Sequence, residues 1–223
     1  MIPRKRRRVR DAIYRVLPER ALVAWMFLRK GGSSELVHAH GWARSLRGKI
    51  PVDANGEPLP WIPYCAINLL EERLEPDFRV LEYGSGNSTL FFMKRVQSVT
   101  SIEHNSQWLD FVKRSAQSNV TLVGVPAEPP HAYAQPDAIK GNHYDLILVD
   151  GIHRTHAFAA AITMLTQRGV ILLDDSDRPE YAPAFASAKA AGLRLLHFEG
   201  HKSASIGLFR STLFYRDGNC LGI

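Results

Sequence analysis

The segment Val80-Leu81-Glu82-Tyr83-Gly84-Ser85-Gly86-Asn87-Ser88 constrains this chain more than any other. A short apolar run that stops at two glycines reads as a buried strand followed by a tight turn. Glycine at 84 and 86 lets the backbone turn sharply and approach a ligand that a Cβ would hinder. Asn87 and Ser88 are residues that start helices. Strand, glycine turn and helix start in succession are what an open α/β sheet uses to hold a ligand beyond its strand ends.

The rest of the chain alternates to match. Strands are predicted over 79–83, 98–103, 120–125, 144–150, 169–174 and 193–198, with a last one over 212–216. Helices are predicted over 64–74, 88–95, 106–118, 155–167 and 179–191. The centre of 144–150 is almost wholly apolar, as expected of a parallel strand covered on both faces. The class is therefore α/β: a Rossmann-like, doubly wound, mostly parallel sheet with helices on both faces and an N-terminal helical extension. Residues 1–60 read as a basic helical and irregular extension, with a turn at Asp53-Ala54-Asn55-Gly56, and residues 61–223 as the domain.

Charge is uneven along the chain. The formal net charge is +6, and ten of the 28 Lys/Arg fall within residues 1–30 against only Asp11 and Glu19. The basic character thus belongs to the tail, and the domain itself is slightly acidic. The apolar run 21–28 inside that tail is far short of the roughly 20 residues that span a bilayer, and it lacks a signal-peptide cleavage site. The tail reads first as a solvated basic end leading into a packed helix. A peripheral membrane contact through residues 1–30 is the second reading. Nucleic acid comes last, because Tyr14 alone does not supply interleaved aromatics. The two cysteines, Cys65 and Cys220, have no metal-ligand spacing and suit a reducing cytoplasm.

The polar residues gather at strand ends. Glu82 precedes the glycines, Glu103 ends the second strand, Asp150 the fourth, and Asp174-Asp175 the fifth. Dinucleotide enzymes carry Gly-x-Gly-x-x-Gly, but Thr89 stands where the third glycine belongs. An acidic residue just before the turn also suits a cationic ligand better than a pyrophosphate. Glu103, about twenty residues beyond the glycines, is placed to bind two ribose hydroxyls.

Together, Glu82-x-Gly84-x-Gly86, Glu103, Val149-Asp150-Gly151-x-His153 and Leu172-Leu173-Asp174-Asp175 resemble the motifs of class I S-adenosylmethionine-dependent methyltransferases. The likeness covers roughly residues 60–216. Pro60-Trp61-x-x-Tyr64-x-Ala66-Ile67 and the end Ser211-Thr212-x-Phe214 are similar to a small, mostly uncharacterised bacterial group of these enzymes. The resemblance implies S-adenosyl-L-methionine as cofactor. It would be held by Tyr64, Glu82, Tyr83, Gly84, Ser85, Gly86, Asn87, Ser88, Glu103 and Asp150, with Glu82 and the glycine loop at its methionine end.

A sulfonium methyl is already activated, so catalysis is mainly alignment, with a base to help a hydroxyl acceptor. Asp150, His153, Asp174 and Asp175 are the expected catalytic group, and His153 titrates nearest neutrality. The three aspartates could also converge on Mg²⁺, as in macrolide and related sugar O-methyltransferases, although the smaller group often has Asn at position 175. The segment 126–136, with His131 and Tyr133, is expected to form a flexible acceptor-side loop. O-methylation of a small molecule or a saccharide is the expected activity. The alternatives are N- or nucleic-acid methylation guided by the tail, or a non-catalytic cofactor-binding or membrane-associated module. No Asn/Asp-Pro-Pro-Tyr/Phe clamp for a planar amino group is present.

Overall fold

A computed structural model describes residues 40–223, together with the isolated positions Pro18 and Ala21. The expectations for the basic tail and its membrane contact lie outside the described residues. Seven strands form one sheet: β1 (Arg79–Tyr83), β2 (Ser98–Glu103), β3 (Val120–Gly124), β4 (Tyr144–Val149), β5 (Leu165–Leu173), β6 (Arg194–Gly200) and β7 (Phe209–Tyr215). Their order is β3-β2-β1-β4-β5-β7-β6, and β7 alone runs against the direction of the other six. The chain leaves β1 toward β2 and β3, then returns to the other side of β1 as β4. The crevice beyond the carboxyl ends of β1 and β4 is the switch point where such sheets bind ligands.

Helices α1 (Trp42–Gly48), α2 (Tyr64–Arg73), α3 (Asn87–Phe92), α4 (Ser106–Lys113), α5 (Pro130–Ala134), α6 (Arg154–Thr163) and α7 (Ala182–Ala190) accompany the sheet. The two-residue period of the strands divides the core in two. Val80, Leu146, Leu148, Val170 and Leu172 pack with Ile67, Leu70, Phe91 and Phe92 of α2 and α3. Leu81, Tyr83, Ile147, Val149, Ile171 and Leu173 pack on the other face with Tyr133, Ala157, Phe158, Ala161 and Ala184 of α5–α7. Both faces are covered, which is why these strands are apolar at consecutive positions.

Three elements depart from expectation. Helix α6 stops at Thr163 because Met164 O accepts from Tyr144 N at 2.8 Å and the chain enters β5 at once. A register shift then separates the Tyr144–Leu165 and Leu146–Val170 pairs. Second, α4 ends at Lys113, five residues before the predicted end at 118. Third, the expected flexible loop 126–136 contains α5, whose Tyr133 is fully buried between Tyr83 and His153. Its prolines mark the helix start and end, so proline content here signals boundaries. No helix among the described residues is long and apolar enough to cross a membrane.

Candidate active site

A cavity of about 540 Å³ opens at the switch point. Its floor is the turn after β1. Gly84 adopts φ +98°, and a Cβ there would stand 3.1 Å from Gly151 Cα. Gly151 is tighter still: its Cβ would meet Tyr133 Oη at 2.0 Å and the Tyr83 carbonyl carbon at 2.9 Å. The two loops that follow β1 and β4 therefore touch through glycine backbone. Thr89, in place of a third glycine, accepts from Gly86 N at 3.2 Å and so closes the turn.

Glu103 organises one end of the cavity. Its Oε2 accepts from Ser85 N at 2.8 Å, and its Oε1 from His104 N at 2.9 Å and Asn105 N at 2.7 Å. Three backbone amides hold this carboxylate on the wall, beside Gly86, Asn87, Ser88 and Trp108. Asn87 Nδ2 donates to Pro51 O at 2.5 Å, which ties the connector before α2 to the loop.

The other end is a charged cluster. Arg154 Nη2 donates to Asp150 Oδ1 at 2.8 Å, and its Nη1 donates to the Asp174 carbonyl at 2.5 Å. Lys202 Nζ donates to Asp175 Oδ1 at 2.6 Å and to Asp174 Oδ2 at 3.2 Å, and lies 4.5 Å from the centre of the Phe209 ring. Ser211 Oγ donates to Asp174 Oδ1 at 2.7 Å, and Arg178 pairs with Asp175. Burial, then the neighbouring Asp174 charge, pushes the Asp150 carboxyl well above its ordinary range. Burial also raises Asp174 against the pull of Lys202. At Asp175, Lys202 and the two arginines outweigh burial and hold the carboxyl below its ordinary value.

Of the residues predicted from sequence, Gly84, Ser85, Gly86, Asn87, Ser88, Glu103, Asp150, Asp174 and Asp175 line this cavity. Four do not. Glu82 shares the strand face of Val80 and lies buried beneath α3. There its Oε2 accepts from Ser101 Oγ at 2.5 Å, and burial pushes its carboxyl up to about 7. Tyr83 points to the opposite face and donates to Ala134 O at 2.7 Å. The Tyr64 hydroxyl donates to His40 O at 3.2 Å. His153 turns away from the cavity, with Nε2 at 2.8 Å from Ala127 O and the ring against Tyr133. Its backbone caps α6 at φ +49°, so its position reflects a helix start.

Sequence reasoning missed Arg154, Lys202, Trp61, Trp108, Phe209 and Ser211. Arg154 had a signal, four residues after Asp150 at the start of a helix. Lys202 had none, since only the fold brings it to the aspartates.

Residues 81–176 match the model of a family described as a methyltransferase domain. The matched segment runs from β1 to just past β5 and takes in the glycine turn, Glu103, Asp150, Asp174 and Asp175. Solved structures share its fold. A methyltransferase from Pyrococcus furiosus superposes with a TM-score of 0.51 at 16% identity, over 85% of this chain and 98% of that one. A precorrin-6y C5,15-methyltransferase from Geobacter metallireducens gives 0.50 at 19% identity, over 68% and 87%. A Streptococcus mutans protein in complex with S-adenosylhomocysteine gives 0.51 at 10% identity, over 69% and 97%. No curated protein matches the chain in sequence. S-adenosylmethionine is the cofactor that the resemblance of the motifs implies for such a domain.

The residues present fit that cofactor. The cavity lies within the ~300–1,000 Å³ range of small-molecule sites, the Gly84 turn leaves room where a Cβ would stand, and Glu103 and Trp108 offer a carboxylate and an aromatic face. They do not fit Mg²⁺. The space between Asp174 and Asp175 already holds the Lys202 ammonium, and Arg154 holds Asp150. Among the described residues no group of three His, Cys, Asp or Glu is disposed to hold a metal ion.

Proposed function

We propose that the enzyme methylates an oxygen of a small hydroxylated molecule or a saccharide, with Asp150 taking the proton. The observation that carries this is the place of Asp150. It follows β4 at the switch point, lines the cavity, and sits in surroundings that raise its affinity for a proton. S-adenosylmethionine supplies, when bound, an activated methyl group on a sulfonium. The chain's own residues then have three tasks. Gly84 and Gly151 bring backbone close to the ligand, and Glu103, held by three amides, receives its ribose hydroxyls. Asp150 accepts the hydroxyl proton of the acceptor. Arg154 keeps that carboxylate oriented and prevents it from turning into the neighbouring aspartates. A raised pKa makes Asp150 a stronger base than an ordinary carboxylate, and positioned bases of this kind contribute about 100-fold or more.

The test uses labelled S-adenosylmethionine with matched panels of hydroxylated, amine and RNA acceptors, followed by product analysis. A methyl ether or ester is expected, with Asp150→Asn lowering kcat about 100-fold and leaving S-adenosylhomocysteine affinity unchanged by calorimetry. Methyl delivered to nitrogen or to RNA would sink the oxygen reading. Full kcat in Asp150→Asn would remove the base.

A further inference from the structure

Lys202 is unusual for a lysine. Its side chain is only 8% exposed, yet it reaches the cavity wall. It stands in the stretch between β6 and β7, and that stretch is pinned on both sides. Lys202 itself bridges Pro63, Tyr64 N donates to His201 O at 3.0 Å, and Trp61 Nε1 donates to Ser205 Oγ at 2.9 Å. The ammonium is thus placed by the fold, with Asp175 Oδ1 at 2.6 Å, Asp174 Oδ2 at 3.2 Å and the Phe209 ring beneath it. Asp174 is itself fixed by Ser211, and Asp175 by Arg178.

A buried ion cluster is a poor device for stability alone, because desolvating the charges offsets most of their attraction. Its value lies in presenting charge at a set position. An ammonium has three N–H donors. Among the described residues two are used on the aspartates, which leaves the third for the cavity that Lys202 lines.

We infer that Lys202 is a built-in cation for the acceptor, standing between Asp174 and Asp175 where a divalent metal would otherwise be held. It donates to the acceptor oxygen as that oxygen loses its proton. The inference rests on the oxygen-methylation reading for its chemistry, but the cation's placement can be tested separately. In the step, the acceptor oxygen uses a lone pair to form a bond to the methyl carbon. The electron pair of the broken carbon–sulfur bond stays on sulfur, and the hydroxyl proton goes to Asp150. Negative charge building on the oxygen before transfer is stabilised by Lys202, with no metal required. The class of acceptor that fits has a hydroxyl or carboxylate oxygen able to reach this ammonium.

The decisive experiment titrates Mn²⁺ into the full-length wild-type chain and follows it by electron paramagnetic resonance. No uptake is expected that Asp174→Asn would abolish. Turnover should persist in EDTA. Lys202→Met should lower kcat about 100-fold, as loss of one donor to a developing oxyanion does, with S-adenosylhomocysteine affinity unchanged; Lys202→Arg should restore part of the activity. Stoichiometric Mn²⁺ binding by the wild type that Asp174→Asn abolishes would overturn the inference. So would full turnover of Lys202→Met. If Lys202→Met does not fold, the wild-type Mn²⁺ titration and the arginine variant still decide. Methyl delivered to nitrogen, with no Mn²⁺ uptake, would fail the oxygen reading and still support the placement of Lys202.

Discussion

At one end of the cavity the lining groups fall between Gly84 and Trp108, and the Glu103 carboxylate among them is held by backbone amides; at the other they come from Asp150, Arg154, Asp174, Asp175, Lys202 and Phe209, where ion pairs hold the charged groups. The first end is a local object. A strand, a glycine turn and the next strand build it from one stretch of chain, with Thr89 closing the turn. The second end exists only because β4, β5 and the stretch before β7 meet on the same side of the sheet. On the function proposed above, local backbone geometry suits the cofactor, which must be held the same way every turnover. Long-range ion pairs then face the acceptor, where substitutions can retune specificity without disturbing the turn.

The seam between the ends gives the largest expected effect. Gly151→Ala drives a methyl against Tyr133 Oη and the backbone of Tyr83 and Gly84. Overpacking of this kind costs about 3 kcal/mol or more, so thermal unfolding should move down by several degrees and both ligands should bind less well. If the variant keeps its melting temperature and binds S-adenosylhomocysteine normally, the close packing of the two loops is wrong.

Next comes Glu82, beneath the first end. Burial lifts its carboxyl from the ordinary 4.5 to about 7, so the folded chain holds this proton more tightly than the unfolded chain. That contribution is fully present below pH 4.5 and is lost as pH rises through 7. Relative to Glu82→Gln, the wild type should lose about 3 kcal/mol of stability over this window. Urea unfolding at pH 5 and pH 8 checks it, and equal pH slopes for the two proteins would show that Glu82 is not buried as described.

Glu103→Ala sharpens the comparison most directly. It frees three amides and removes the carboxylate from the first end only. S-adenosylhomocysteine affinity should fall about 30-fold, or about 2 kcal/mol, as for a charged hydrogen-bonding group. The acceptor KM, measured at saturating cofactor, should stay where it was. A matched loss at both would mean that the two ends are one coupled unit.

Much of this was legible in the residues. Strands β1 and β4 fall where their apolar runs place them, because a strand covered on both faces leaves a continuous signature. Glu103 was legible through its distance from the glycines. Glu82 and Tyr83 stand outside the cavity lining for a physical reason. Residues next to the turn look close to the ligand in sequence, but the strand period sends one under α3 and the other toward α5. His153 also stands outside the lining, because the chain uses its position after β4 as a helix cap.

By itself, the sequence determined that a strand, a glycine turn and an acidic strand end would form half of a ligand site, since these depend on neighbours within a short stretch. Only the tertiary structure decided what stands among the aspartates. Lys202 lies 27 and 28 residues from Asp175 and Asp174, and no periodicity spans that gap. The antiparallel return through β7 carries it there, and the low dielectric of the cavity wall gives the ammonium its partners.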